Sequence, residues 1–442
     1  MNDYVPASTL GWLDLDTAAS ERVATLLRSL EEPSTLDVLG LGTIRDAFAD
    51  MLSPGTSTVQ TRLRYFIFLP WIFQRLEAEQ VQPADFARRL RDAETRLIER
   101  LRHLGANQGV IGFWARGELK RMPSEIYWGG LGSWGIRRPD MSITQYGQSA
   151  PAPRSQLQRD DDGNATQRSV SMWTAGIPEP PKPFPGPTTQ PSAPPEGDID
   201  FNLLPDEAQF LTERIRHSQP DSLLAVLSAK PDAPIDVDFP WELDAGVLPD
   251  SIVEVLRHAR CFSELTLGPQ LVYNLLLAQR ANDELGRDTS KPREDQSTLL
   301  DKWAGLVLGR LGALRSWAGN LPEFWDLLTG QHIGAATRSF VDEVVLRAAS
   351  DPAGFAGDHR VHELIERREF RLKSKRARLV NRSALENWNG RPVGGQFNYR
   401  WPTTKSYLTD LATAARPTGD GPSPAPATRG DAEGTAAAGG AG

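Results

Sequence analysis

The strongest chemical bias in the chain lies between Glu366 and Arg382. Eight bases (Arg367, Arg368, Arg371, Lys373, Lys375, Arg376, Arg378 and Arg382) stand there against two acids, Glu366 and Glu369. Arg368, Arg371, Lys375, Arg378 and Arg382 follow one another at steps of 3, 4, 3 and 4. On a helix these steps draw one cationic stripe, with Ile365, Leu372 and Leu379 on a different face. Such a stripe suits phosphates, because each contact releases condensed counterions. The alternative is a solvated face of an amphipathic helix, with Glu369 and Lys373 paired one turn apart.

A second candidate is PGTSTVQTRLRYF at 54–66. A short helix, a Pro-Gly turn and a helix opening with Thr58, Thr61, Arg62 and Arg64 have the outline of a helix-turn-helix. Thr, Gln and Arg near a helix N-terminus are the usual groups for phosphate and base-edge contacts. The plainer alternative makes Thr56 or Ser57 an N-cap and the arginines surface or inter-helix partners.

Residue sets for other chemistry are thin. Gly40-x-Gly42 lacks the third glycine of a dinucleotide fingerprint, and no GxxxxGK[ST] occurs. His359 and His362, with Asp358 and Glu363, could share one helical turn, but no third ligand group at a recognised spacing joins them. Asp236, Asp238 and Glu242 flank a strand candidate without the lysine that nuclease sites add. No GxSxG is present, and Cys261 sits in an apolar helical pattern. No catalytic, cofactor or metal residue is therefore assigned.

Composition narrows the classes further. A length of 442 residues suggests two or three domains. The net charge of -8 argues against coating nucleic acid by bulk charge, which makes a local basic cluster more informative. One cysteine excludes a disulfide framework, so the chain reads as a reduced, cytoplasmic protein. The longest apolar run, Tyr65 to Phe73, is far short of the about 20 residues of a membrane span, so no membrane partner is expected. The N-terminus lacks the pattern of a signal peptide.

The elements that must position these residues are mostly α, in two helical bodies with a little β. An N-terminal helical domain is expected at 8–147 and a C-terminal one at 201–412. Between them, 148–200 carries eleven prolines and few aliphatic residues, and is expected to be a disordered insertion. A Gly/Ala-rich tail at 413–442 is expected to be disordered as well. In the first body, helices are predicted after Asp16 (Val23, Leu26, Leu27, Leu30), after Thr43, from Ser57 to Gln80 with a kink at Pro70, and from Pro83 to Gly105. Gly109 to Gly135 is expected to be irregular but compact, because Trp114, Tyr127, Trp128 and Trp134 must pack. In the second body, helices are predicted at 205–217, 220–229, 249–263, 267–285, 296–318, 322–329, 337–349 and 361–382. Strand candidates are Ile235-Val237-Phe239 and Phe397-Tyr399-Trp401.

Long blocks of the sequence are also familiar. GWLDLD at 11–16, LGLGTIRDAFADMLSPGTSTVQTRLRYFIFLPWIF at 39–73 and LKRMPSEIYWGGLGSWGI at 119–136 resemble the bacterial family of unknown function numbered 6361. HARCFSELTLGPQLVYNLLLAQ at 258–279 and NRSALENWNGRPVGGQFNYRW at 381–401 are similar to its second half. The family brings no catalytic residue. The resemblance implies a bacterial setting near helicases and phospholipase-D-like proteins of anti-phage islands. The expectation is a non-enzymatic, DNA-interacting or scaffold accessory subunit of a genome-defence system. DNA and protein subunits such as a helicase or a phospholipase-D-like protein are its candidate partners. Two rivals remain: a purely protein-binding structural subunit, and a hydrolase or nuclease whose site is assembled from distant segments.

Overall fold

The computed structural model describes residues 37–103, 109–114, 119–149, 155–159, 165–169, 171–181, 184 and 199–416. Among these residues the fold is mostly helical. Helices α1 (Gly42–Leu52), α2 (Tyr65–Ala78), α3 (Pro83–His103), α4 (Pro123–Ser133) and α5 (Ile143–Ser149) come first. A hairpin of β1 (Ser155–Arg159) and β2 (Ala165–Ser169) follows, antiparallel, with Ser155 opposite Ser169. Helices α6 (Pro205–Ser218), α7 (Leu223–Ser228), α8 (Asp250–Leu285), α9 (Ser290–Gly309) and α10 (Leu311–Ala318) come next. The last are α11 (Pro322–Leu327), α12 (Ala335–Ser350), α13 (His359–Lys373), α14 (Arg382–Glu386) and α15 (Trp401–Ala415).

Helix α2 is apolar around its whole circumference, and such a helix is stable only inside a core. Every residue from Tyr65 to Phe73 is buried. Phe66 stacks on Trp134 with centroids 3.9 Å apart, and Phe73 packs against Trp128, Tyr146 and Trp173. In the second stretch α8 is the central helix, with α9, α12 and α13 packed along it. The two stretches are joined by apolar contacts: Phe48 of α1 lies against Phe262 of α8, Phe324 and Tyr399, and Phe66 meets Tyr407 of α15 edge-on.

Several elements differ from the sequence expectation. Residues 57–64 form turns, and α2 starts only at Tyr65. Helix α1 is capped by Asp37 rather than Thr43, its carboxylate accepting from the Leu41 and Gly42 amides at 2.7 and 2.6 Å. The Gly-rich stretch contains α4, and Trp114 is exposed while Tyr127, Trp128 and Trp134 are buried. Helix α8 runs unbroken through Pro269, where two helices were expected. Gly268 lets Trp303 pack against the helix there, because a Cβ would lie 2.4 Å from its ring.

Neither strand candidate is a strand. The Val237 carbonyl accepts from the Trp401 indole and the Lys405 amine, and the Phe397 carbonyl from the Ser263 hydroxyl. Tyr399 and Arg400 have φ of +50° and +62°, outside the range of a ladder. Side chains therefore take the groups that strand pairing would need.

The segment 148–200 carries the β1–β2 hairpin where no secondary structure was expected. Beyond it, Met172, Trp173 and Ile199 are buried, and the Trp71 indole donates to the Pro178 carbonyl at 2.6 Å. Arg138 and Thr174 amides pair with the Met172 and Ile136 carbonyls, which fastens this stretch to the end of α4. Much of the proline run, the helix expected after Asp16, Gly105 and the tail beyond Arg416 lie outside the described residues. No described helix is long and apolar enough to cross a membrane.

Candidate nucleic-acid interface

The 54–64 segment turns its polar groups inward. The Thr61 hydroxyl donates to the Gly109 carbonyl at 2.6 Å, and the Thr61 and Arg62 amides donate to the Tyr127 hydroxyl. Arg62 forms a two-pronged pair with Asp410 of α15, at 2.8 and 3.2 Å, and the same carboxylate accepts the Leu63 amide. Arg64 is buried, with Nη2 on Glu207 of α6 at 2.9 Å and Nη1 on the Asp200 carboxylate at 3.1 Å. Burial pushes the Asp410 carboxyl up, and the Arg62 hydrogen bond only partly offsets it. Of the four residues proposed from this segment, Thr58 alone is exposed. The helix-turn-helix outline is thus corrected: its arginines charge-match acids 136 to 348 residues away in sequence.

The 366–382 segment breaks where a continuous helix was expected. Ser374 adopts φ +50° and ends α13, and a single 3₁₀ turn, Ser374–Arg376, follows. The cause is Glu369, fully buried, whose carboxylate accepts from the Tyr273 hydroxyl at 2.6 Å, Lys373 at 3.1 Å and the Leu379 amide at 2.9 Å. In an unbroken helix that amide would bond to the Lys375 carbonyl, which here accepts from the Asn381 side chain instead. The five-residue stripe therefore does not lie on one helix.

Its members have separate fates. Arg368 is buried and tied to the Leu39 carbonyl at 2.8 Å and the Thr337 hydroxyl at 2.8 Å. Gly40, with φ +65°, leaves room for it, since a Cβ there would fall 2.5 Å from Nη2. That is the structural role of the Gly40-x-Gly42 pattern. Arg378 is half-buried beside Tyr273, and Arg382 opens α14 and pairs with Glu386 at 3.5 Å. Arg371 and Lys375 are exposed and make no ion pair with a described residue.

What remains outside is compact in sequence and one-signed. Arg367, Arg371, Lys375 and Arg376 are all exposed. The segment's two acids are already matched, Glu366 by Arg280 of α8 at 2.9 Å and Glu369 by Lys373. Phe370 is 54% exposed between the arginines. Position 367 has both 370 and 371 as helical neighbours, three and four residues further on. Nothing in the sequence marks Phe370 as exposed, since a phenylalanine in a helical pattern is ordinarily core.

One further cluster carries metal-ligand residue types. Glu254, His258 and Glu323 bring ligand atoms within 4.8 Å of one another. The Arg257 guanidinium already sits among them, 2.8 Å from His258 Nε2 and 3.4 Å from Glu323. The Trp317 indole donates to His258 Nδ1 at 2.9 Å, which puts the proton of a neutral ring on Nε2, facing Glu254 at 3.0 Å. That nitrogen has no lone pair left for a cation. Burial, with Arg257 adding to it, lowers the His258 pKa. The other candidates are equally occupied: His362 contacts the Ala356 carbonyl, His359 pairs with Glu363, and Glu242 accepts from the Asp238 and Phe239 amides.

Comparison with known proteins gives one match. A family model described as a family of unknown function (DUF6361) matches residues 7–415. No curated protein and no solved structure matches the chain.

Proposed function

The chain belongs to the DUF6361 family, which carries no assigned activity, and from that premise we propose that it is a non-enzymatic accessory subunit that holds a polyanion, DNA first, on the surface around the end of α13. One observation carries the reading. Arg367, Arg371, Lys375 and Arg376 are exposed within ten residues while the local acids are neutralised from inside. In a chain of net charge -8 this is a local field of opposite sign, which attracts phosphates and repels acidic surfaces less than the rest of the protein does. The genome-defence setting belongs to this proposal, with a helicase or phospholipase-D-like subunit as the neighbour on the same DNA.

A labelled DNA fragment titrated with the protein tests it by fluorescence anisotropy at two salt concentrations. Binding should be measurable at about 50 mM salt and fall steeply by about 200 mM, as counterion release requires. R371E/K375E should weaken it at least about tenfold, for all sequences alike. Absence of binding at about 50 mM by a folded sample would overturn the proposal. The protein-docking rival would then lead, supported by Leu372 and Val380, which are exposed beside the same cations.

A further inference from the structure

We infer that the polyanion is single-stranded nucleic acid, held by phosphate contacts to Arg367, Arg371, Lys375 and Arg376 while a base stacks on Phe370. The inference rests on the polyanion reading above and adds the strand type and the aromatic contact.

Phe370 stands on α13 with more than half its surface in solvent, although the helix has a full apolar face turned to the core through Val361, Leu364 and Ile365. It is therefore not a core residue at the margin of packing. Arg367, three residues before it, is its neighbour on the helix face, and Arg371, the next residue, is exposed as well. Arg367 is steadied there by a contact of its Nε with the Glu363 carbonyl, at 3.3 Å. Beyond the break at Ser374, Lys375 and Arg376 extend the same positive charge off the helix end.

The chemistry of this arrangement separates the two kinds of nucleic acid. In a duplex the base faces are stacked on one another, and an exposed phenyl ring has only sugar and phosphate to meet. In a single strand each base offers a free π-face beside its phosphate, and aromatic rings flanked by cations are the usual receptors. Duplex recognition by a helix needs a straight cationic or polar face that follows a groove. Here α13 ends at Lys373, and Arg368, which would have led such a face, is buried against Leu39 and Gly40. Charge complementarity selects a polyanion, and the exposed ring between the charges selects one with unpaired bases.

The full-length protein would be titrated against labelled oligo(dT) of about 20 nucleotides, a duplex of the same length and an abasic phosphodiester of the same length, at about 50 mM salt. The expected order is oligo(dT) tightest, with duplex and abasic strands at least about fivefold weaker. F370L should reduce oligo(dT) affinity about tenfold, while leaving duplex and abasic binding and the salt slope unchanged; F370Y should restore it. These ratios follow from the loss of one stacked base. Equal binding of all three probes, unmoved by F370L, would overturn this inference and leave the polyanion reading standing. No binding of any probe would overturn both.

Discussion

Two arginine-bearing segments of this chain look alike in sequence and are opposite in structure. Around Thr58–Arg64 the cations are used inside, and around Arg367–Arg376 four of them are left outside. The difference lies in the acids each segment meets. Arg62 and Arg64 face Asp410 and Glu207, carboxylates that other elements carry into the core, and Arg64 also reaches the half-exposed Asp200. A buried carboxylate is tolerable only when a cation or several hydrogen bonds accompany it, so these arginines are fixed by the acids' need. At the end of α13 the acids are satisfied by Arg280 and Lys373, and the remaining cations have no internal task. Spacing alone carries none of this information, because attraction between charges acts through space and not along the chain.

The comparison can be broken most directly at Arg64. Arg64→Ala leaves Glu207 buried without its guanidinium, and should destabilise the protein by about 3–5 kcal/mol in urea unfolding. A loss under about 1 kcal/mol would show that Arg64 is no more internal than Arg371. A slightly smaller effect is expected at Glu94, a fully buried carboxyl held by the Ser124 amide and hydroxyl at 2.6 and 3.0 Å. Burial pushes its pKa up to about 8 from an ordinary 4.5, the Ser124 hydrogen bonds offsetting this only in part. Because the folded value lies above the unfolded one, its contribution is complete below the ordinary carboxylate range. It is lost as pH rises through about 8. Wild type should therefore lose on the order of 3 kcal/mol of stability between pH 5 and pH 8 that Glu94→Gln retains. Parallel pH profiles for the two proteins would show that Glu94 ionises freely. The smallest effect is expected outside: R371E/K375E, which impairs DNA binding in the proposed function, should change unfolding stability by no more than about 0.5 kcal/mol. A larger loss would mean that these cations also hold the fold.

Much of the fold was legible because it is written in local pattern. Pro83 opens α3 and Pro322 opens α11, and the all-round apolar run at 65–73 is the buried centre of the N-terminal stretch. The elements misread are those whose backbone is taken by a distant side chain. The end of α13 is set by Glu369 accepting the Leu379 amide, and the failed strand at 235–239 by Trp401 and Lys405 donating to the Val237 carbonyl. The candidate surface was legible in part. Arg371 and Lys375 stand outside as the stripe implied, whereas Arg368 was indistinguishable from them by spacing and is buried. Phe370 was visible in the sequence, but its exposure was not, since a phenylalanine in a helical pattern is ordinarily core.

The sequence by itself determined the helical class, the family, the main apolar helix and the stretch in which basic charge accumulates. Periodicity and composition act over a few residues, and those properties depend on nothing more. Tertiary structure alone decided which arginines are internal ties and which are surface groups, and where α13 stops. It also decided that the Glu254–His258–Glu323 group is closed around Arg257. Each of these outcomes depends on which charged group arrives from a distant segment. Burial makes that arrival decisive, because removing a charge from water costs several kcal/mol unless a partner is already in place.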